Sequence, residues 1–299
     1  MDDSSWPVEP FTLEILAELR ADRFSLRAWT RFLARAWQHS RETASREPQL
    51  ARSWLRLTVG MGLASSLPIG LVWRREGGST ARRMWCRLLA GLTLQQANAY
   101  LHLGMNRRLY DNQLLPHIGM ATTLSYLRGA CGYTLLATTG KAQFPTLGMW
   151  LLVVGSLTDV VDGRIARRQG RTTKLGAYAD GEADVVLAVA LIQRAVYAGE
   201  LPLATHAILI GRYVIPVLAA MRLALLGKPP SIAHTKVGQV LGVVATSLTG
   251  CALAPEPARQ RLRPLQRVLL PLALALSVMN AIAQVRRLQT TSHVDWKRL

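Results

Sequence analysis

The 299-residue chain carries 36 Lys and Arg against 18 Asp and Glu, a formal charge of +18, yet half of its residues are hydrophobic and its mean hydropathy is +0.17. The apolar half excludes a disordered chain and exceeds what a soluble nucleic-acid binder of this charge carries, so no nucleic-acid partner is expected. What fits is a membrane protein with basic loops held against anionic lipid.

The N-terminus, Met1-Asp2-Asp3, lacks the positive stretch and apolar core of a secretory signal, and no cleaved signal peptide is expected. Residues 1–56 are polar to amphipathic. Ser25 is placed to cap a helix in which Leu26, Trp29, Phe32, Leu33, Ala36 and Trp37 recur at helical spacing, with Arg27, Arg31 and Arg35 along another face. Such a helix suits either a membrane surface or the protein's own body. Leu57–Trp73 is uncharged but broken by Pro68, and Leu88–Met105 carries Gln95, Gln96, Asn98 and His102. Between them lie Arg74, Arg75, Arg82, Arg83 and Arg87. If both segments spanned, this basic turn would lie opposite the basic loops downstream, so charge favours shallow, interfacial or re-entrant helices. Residues 1–115 therefore read as an N-terminal helical, partly membrane-associated extension.

From residue 116 the pattern becomes regular. Apolar segments run at about 118–138, 145–163, 176–198, 202–226, 237–254 and 266–285, each near the length that crosses a bilayer. Pro145, Pro202, Pro255 and Pro271 sit at or near their ends, where helices start or stop. The expected fold is all-α, a polytopic bundle of six transmembrane helices over residues 116–290, followed by a tail, 291–299. The loop 164–175 holds Arg164, Arg167, Arg168, Arg171 and Lys174, and the C-terminus holds Arg286, Arg287, Lys297 and Arg298; Arg259, Arg261 and Arg263 dissent from the opposite side. The positive-inside bias places both termini in the cytoplasm. Cys86, Cys131 and Cys251 are widely separated and odd in number, giving neither a disulfide framework nor zinc spacing.

Charges inside apolar spans are costly and mark function. Asp159 and Asp162 are three apart near the end of one span; Asp180 and Asp184 are four apart in the next. Each spacing puts its pair on one helical face, and the short connection makes the two helices antiparallel neighbours. Four carboxylates cannot share a low-dielectric site as bare anions; some are protonated or cations join them. Hard oxygen donors suit Mg²⁺, Mn²⁺ or Ca²⁺. Glu182 lies between Asp180 and Asp184 but faces away from them. Small residues (Gly163, Ala166, Gly176, Ala177, Ala179, Gly181, Ala183) allow close backbone approach, and neighbouring arginines suit phosphate. Together these features point to metal-assisted phosphate chemistry.

The stretch Asp159-Val-Val-Asp162-Gly163-Arg-Ile-Ala166-Arg167, then Gly176, Asp180 and Asp184, resembles the signature of the CDP-alcohol phosphotransferases, D-x2-D-G-x2-A-R-x8-G-x3-D-x3-D, at all eight fixed positions. The resemblance spans about residues 116–290. It implies that Asp159, Asp162, Asp180 and Asp184 hold Mg²⁺ or Mn²⁺, and that Asp184 is the general base. It implies further that Asp162, Gly163, Ala166, Arg167 and Gly176 contact the nucleotide. Arg128, in Thr123-Leu-Ser-Tyr-Leu-Arg128, resembles a family arginine. With Arg212 and Lys236 it is a candidate for binding an acceptor or lipid phosphate, although Tyr213 and Thr235 depart from the pattern many members show. Lipid-headgroup snorkelling is the plainer alternative for such arginines, above all for Arg222.

The implied reaction transfers a phosphatidyl group from CDP-diacylglycerol to an alcohol such as glycerol 3-phosphate, phosphatidylglycerol or inositol phosphate, releasing CMP. A CDP-linked small alcohol with diacylglycerol as acceptor is the alternative within the family; an intramembrane prenyltransferase is the alternative outside it. A cation transporter leaves Arg167, Arg168 and Arg171 unexplained. The resemblance also implies a bacterial cytoplasmic-membrane location with the site near the cytoplasmic face, membrane lipids as partners, and a homodimer, as family members often are.

Overall fold

A computed structural model describes residues 10–138, 148–158, 172–225 and 236–291. Among them the chain is helical: α1 (Pro10–Ala21), α2 (Leu26–Arg46), α3 (Pro48–Glu76), α4 (Gly78–Leu101), α5 (Met120–Thr138), α6 (Gly148–Thr158), α7 (Lys174–Tyr197), α8 (Leu203–Leu225), α9 (Lys236–Leu253) and α10 (Glu256–Thr291). No sheet forms among these residues; there are two isolated bridges, Arg107 with Leu114 and Arg108 with Thr173.

The chain divides into two compact units. One joins the chain up to Ala36 with Pro202–Cys251 and the chain from Gln260 onward; the other is Trp37–Leu201 with Ala252–Arg259. In the first, Ser25 caps α2 as its sequence predicts, accepting from the Ala28 N–H at 3.2 Å. Arg35 pairs with Glu14 at 2.8 Å and with Glu18, and Arg31 pairs with Asp22. Two of the three arginines on the basic face of α2 are thus engaged by acids from α1 and the turn after it.

The second unit is organised by period. On α3, Leu50, Leu57, Met61 and Ile69 are buried; on α4, Met84, Leu88, Leu92 and Ala99. These two faces meet Tyr126, Ala130 and Ala137 of α5 and Leu175 and Ala179 of α7 in one core. Spacings of four, seven and eight keep one side of each helix inward. The closest approach is between α5 and α7. A Cβ at Gly132 would stand 2.9 Å from the Leu187 backbone nitrogen and 2.9 Å from Val186 Cγ1. Backbone cannot move aside as a side-chain tip can. Gly132→Ala is therefore expected to push α5 and α7 apart at a cost of about 1–3 kcal/mol, seen as a lowered melting temperature in detergent; an unchanged Tm would contradict this packing.

The structure corrects several expectations. α3 runs unbroken through Pro68, and α10 runs through Pro264 and Pro271. Apolar surroundings protect helical hydrogen bonds from water, so a proline there removes one bond without ending the helix. α10 also begins at Glu256, ten residues early, and takes Arg259, Arg261 and Arg263 into its first turns. Pro202 and Pro255 do precede helices, and Pro145 lies outside the described residues.

Of the six expected spans, three are long and apolar enough to cross a membrane among the described residues: Leu203–Leu223, Lys236–Leu253 and Glu256–Arg286. Gly148–Thr158 is apolar but shorter. α5 and α7 have nearly the expected bounds, but Arg128 on one, and Lys174, Asp180, Glu182, Asp184 and Arg194 on the other, lower their apolarity. The helices that fall short of an apolar span are those that carry the site.

Candidate active site

α7 starts where Thr173 caps it. The Thr173 hydroxyl accepts from the Gly176 N–H at 2.9 Å, and the Arg107 carbonyl accepts from the Lys174 N–H at 2.9 Å. Two N–H groups that a helix start leaves without intrahelical partners are thereby satisfied. The second comes from the α4–α5 connector. Asn106 fixes that connector by donating to the carbonyls of Leu115 at 2.9 Å and His117 at 3.0 Å. Gly176 packs close to α5: a Cβ there would meet the Thr122 hydroxyl at 2.8 Å and the Thr173 hydroxyl at 3.1 Å. A packing reason for glycine at this position therefore stands beside the nucleotide contact implied by the signature.

One turn further along, Asp180 and Asp184 lie on the same face of α7, as their spacing predicts. Between them comes Arg128 from α5, 1% exposed. Its Nη2 pairs with Asp180 and its Nη1 with Asp184 at 3.2 Å. The two carboxylate side chains are themselves half-exposed, 46% and 54%. A buried guanidinium thus holds two acids whose side chains remain half-exposed. A fork of two nitrogens suits this task, since each can take a different carboxylate. α6 closes on the arginine's stem at Gly155, where a Cβ would stand 3.7 Å from Arg128 Cγ and would collide with the Leu187 side chain. Thr158 is the last described residue of α6, directly before Asp159 in the sequence.

The opposite side of α7 carries a second polar group. Asn98 of α4 donates through Nδ2 to Glu182 at 2.9 Å and to the Tyr178 hydroxyl at 2.8 Å. His102 stacks on Tyr178 with ring centroids 4.4 Å apart, and its Nδ1 is 2.8 Å from the Asn98 carbonyl. Burial lowers the His102 imidazole from its ordinary value, and the Asn98 carbonyl offsets this only in part. The ring is therefore neutral at pH 7 and donates from Nδ1. Glu182 thus faces α4, away from Asp180 and Asp184, as its place on the helix predicts.

Of the residues singled out in the sequence, Arg128, Gly176, Asp180 and Asp184 come together on the α5–α7 pair. Asp159, Asp162, Gly163, Ala166 and Arg167 lie outside the described residues. Arg212 and Lys236 belong to the other compact unit. There the Arg212 guanidinium lies over the Tyr213 ring, 4.3 Å from its centroid, and Lys236 is exposed at the start of α9. Asn98, Gly155 and the Arg107 carbonyl were not legible as site supports. Each acts through a contact distant in sequence, and only Asn98, one of four polar residues noted in an uncharged segment, gave a signal.

The half-exposed oxygen donors of Asp180 and Asp184 are of the type that suits a hard divalent cation. Among the described residues no group of three His, Cys, Asp or Glu assembles, the other two acids of the signature lying outside them.

The family model for CDP-alcohol phosphatidyltransferase matches residues 118–279, more than half of the chain. The chain belongs to the CDP-alcohol phosphatidyltransferase family. Membership and the three long apolar helices together make it an integral membrane protein. A relative named CDP-diacylglycerol--glycerol-3-phosphate 3-phosphatidyltransferase, from Pectobacterium atrosepticum, is 39% identical over 103 residues, 32% of this chain. The chain spans about half the length of that relative, 54%. No solved structure matches the chain. The family match begins at residue 118, so α1–α4 and the connector that meets the start of α7 lie outside it.

Proposed function

We propose that this family member transfers the phosphatidyl group of CDP-diacylglycerol to glycerol 3-phosphate in the bacterial cytoplasmic membrane, with its site at the cytoplasmic face. The observation that carries the reading is the pair Asp180 and Asp184, set on one face of α7 around buried Arg128, inside a signature intact at all eight positions. The acceptor is suggested by the name of the Pectobacterium relative.

In this reading the acceptor hydroxyl oxygen attacks the phosphorus that bears the diacylglycerol. The new P–O bond forms as the bond to CMP breaks, and Asp184 receives the hydroxyl proton. Asp159, Asp162, Asp180 and Asp184 would hold one or two Mg²⁺ or Mn²⁺, which when bound neutralise charge on the pyrophosphate and on the departing CMP. Asp162, Gly163, Ala166, Arg167 and Gly176 would contact the nucleotide. Arg212 and Lys236 are assigned to the acceptor's phosphate. The resemblance assigns Arg128 to a phosphate as well. With two of its nitrogens taken up by Asp180 and Asp184, we assign it instead to positioning those acids.

The test is CMP release by the purified protein in lipid, supplied with CDP-diacylglycerol and one acceptor at a time. Release is expected with glycerol 3-phosphate, to need Mg²⁺ or Mn²⁺, and to stop with chelator. Release with phosphatidylglycerol or inositol phosphate but not glycerol 3-phosphate would overturn the acceptor alone. No release with any acceptor would overturn the reaction.

A further inference from the structure

The extension ahead of the family match contains two long helices whose levels can be read against α5. The Ile118 N–H donates to Ser53 Oγ at 3.0 Å, which sets α3 beside α5 at the end where α5 begins. Trp54 Nε1 donates to the Gln96 carbonyl at 3.2 Å, so α4 returns alongside α3. Gln95 Nε2 donates to the Tyr126 carbonyl at 3.2 Å, and the Gly91 backbone lies against the Tyr133 ring. α3 therefore runs parallel to α5 and α4 antiparallel to both. Counting from the Ser53–Ile118 contact, residues 57–73 of α3 lie beside residues 122–138 of α5. Counting from the α4 contacts, residues 88–101 lie beside the same stretch.

Those are the charge-free parts of the hairpin. No Asp, Glu, Lys or Arg occurs from Leu57 to Trp73 or from Leu88 to Leu101. Charge resumes at Arg56 on one side, and on the other at Arg74, Arg75, Arg82, Arg83 and Arg87, from about the level of the last described turn of α5 onward. The 17 uncharged residues of α3 rise roughly 26 Å, close to the hydrocarbon thickness. Facing away from the core, Leu55, Val59, Leu63 and Leu67 form a stripe with spacing of four, 53–72% exposed. An apolar stripe of this length left in water is a liability.

We propose that α3 and α4 form a transmembrane hairpin that adds two spans to the family bundle, with the Leu55–Val59–Leu63–Leu67 stripe against lipid acyl chains. The Arg-rich turn around Gly77 emerges on the face opposite the start of α7. The inference rests on α5 crossing the membrane, because the three helices share one set of levels, but not on the reaction proposed above. It replaces the shallow placement that charge alone suggests. A shallow hairpin would need Arg74 and Arg87 at the level of Ile118, and the length of α5 lies between them. The positive-inside tendency is a bias of loops, and here it is outweighed by register against a packed partner helix.

The test uses the full chain in sealed membrane vesicles of both orientations, in a Cys86→Ser background; Cys131 and Cys251 are buried. Ser79→Cys marks the turn, Gln113→Cys the side where α7 begins, and Leu63→Cys the stripe; all three positions are exposed. A membrane-impermeant maleimide is expected to reach Ser79→Cys and Gln113→Cys from opposite sides. It is expected to leave Leu63→Cys unlabelled until detergent is added. Labelling of both ends from one side overturns the proposal. So does a turn reached from neither side, which a re-entrant hairpin gives, and so does labelling of Leu63→Cys in sealed vesicles. Disulfide-linked dimers of Leu63→Cys on oxidation would assign the stripe to a second copy of the chain and overturn it equally.

Discussion

Asp184→Asn is expected to lower the rate of CMP release by at least about 10²-fold, and up to about 10⁴-fold, the range over which a positioned general base contributes. Asparagine matches aspartate in shape and keeps a carbonyl oxygen that Arg128 Nη1, 3.2 Å from the native carboxylate, can still donate to. The fold should therefore survive, and nucleotide binding measured with Mg²⁺ present should remain, since the other three acids of the signature are untouched. What is lost is the proton acceptor. Glu182→Gln, two residues away, is the matched control. Its side chain faces α4, and a glutamine oxygen can still accept from Asn98, so turnover should stay close to that of the unaltered protein. Full activity in Asp184→Asn would refute its role as base. Equal losses in the two variants would mean that any disturbance of α7 stops the reaction, and the face argument would fail.

Both bounds of α7, the starts of α5 and α8 and the end of α9 were legible to within a few residues because a run of apolar residues in a membrane protein is close to a direct record of helix length. The shared face of Asp180 and Asp184 followed from the helical repeat alone. What escaped was tertiary. The partner of those acids, Arg128, sits 52 residues away from Asp180, and nothing in local spacing says that its guanidinium turns toward carboxylates rather than toward phosphate. The support of α7 by Arg107 and Asn98 escaped for the same reason. The start of α10 was misjudged for a different one. Pro271 and the arginines before it read as a boundary by local rules, but a long helix lets a proline pass where no water competes for the backbone. The charge of the Gly77 turn was legible, yet its level relative to α5 required contacts such as Ser53 with Ile118.

Arg128 separates two accounts of the site. If it positions Asp180 and Asp184, Arg128→Lys should fold, because it keeps a cation on a long stem in the same cleft. It should still lower kcat by about 10²-fold, the order expected when reacting groups are misplaced by about 1 Å. A single ammonium cannot present two nitrogens in a fixed fork to two carboxylates. KM for CDP-diacylglycerol should then change little. If Arg128 instead binds a phosphate of the substrate, the same variant should raise KM, while kcat at saturating substrate falls far less. Arg128→Met sharpens the distinction. It keeps a stem to pack beside Gly155 and Leu187 but leaves two carboxylates four residues apart on one helix face without the cation between them. A divalent cation should then bind the substrate-free protein more tightly, because it no longer competes with a guanidinium for the same oxygens, even as turnover is lost. Tighter Mn²⁺ binding together with a fallen kcat would establish the positioning role; weaker Mn²⁺ binding, or a change confined to KM, would return Arg128 to the phosphate.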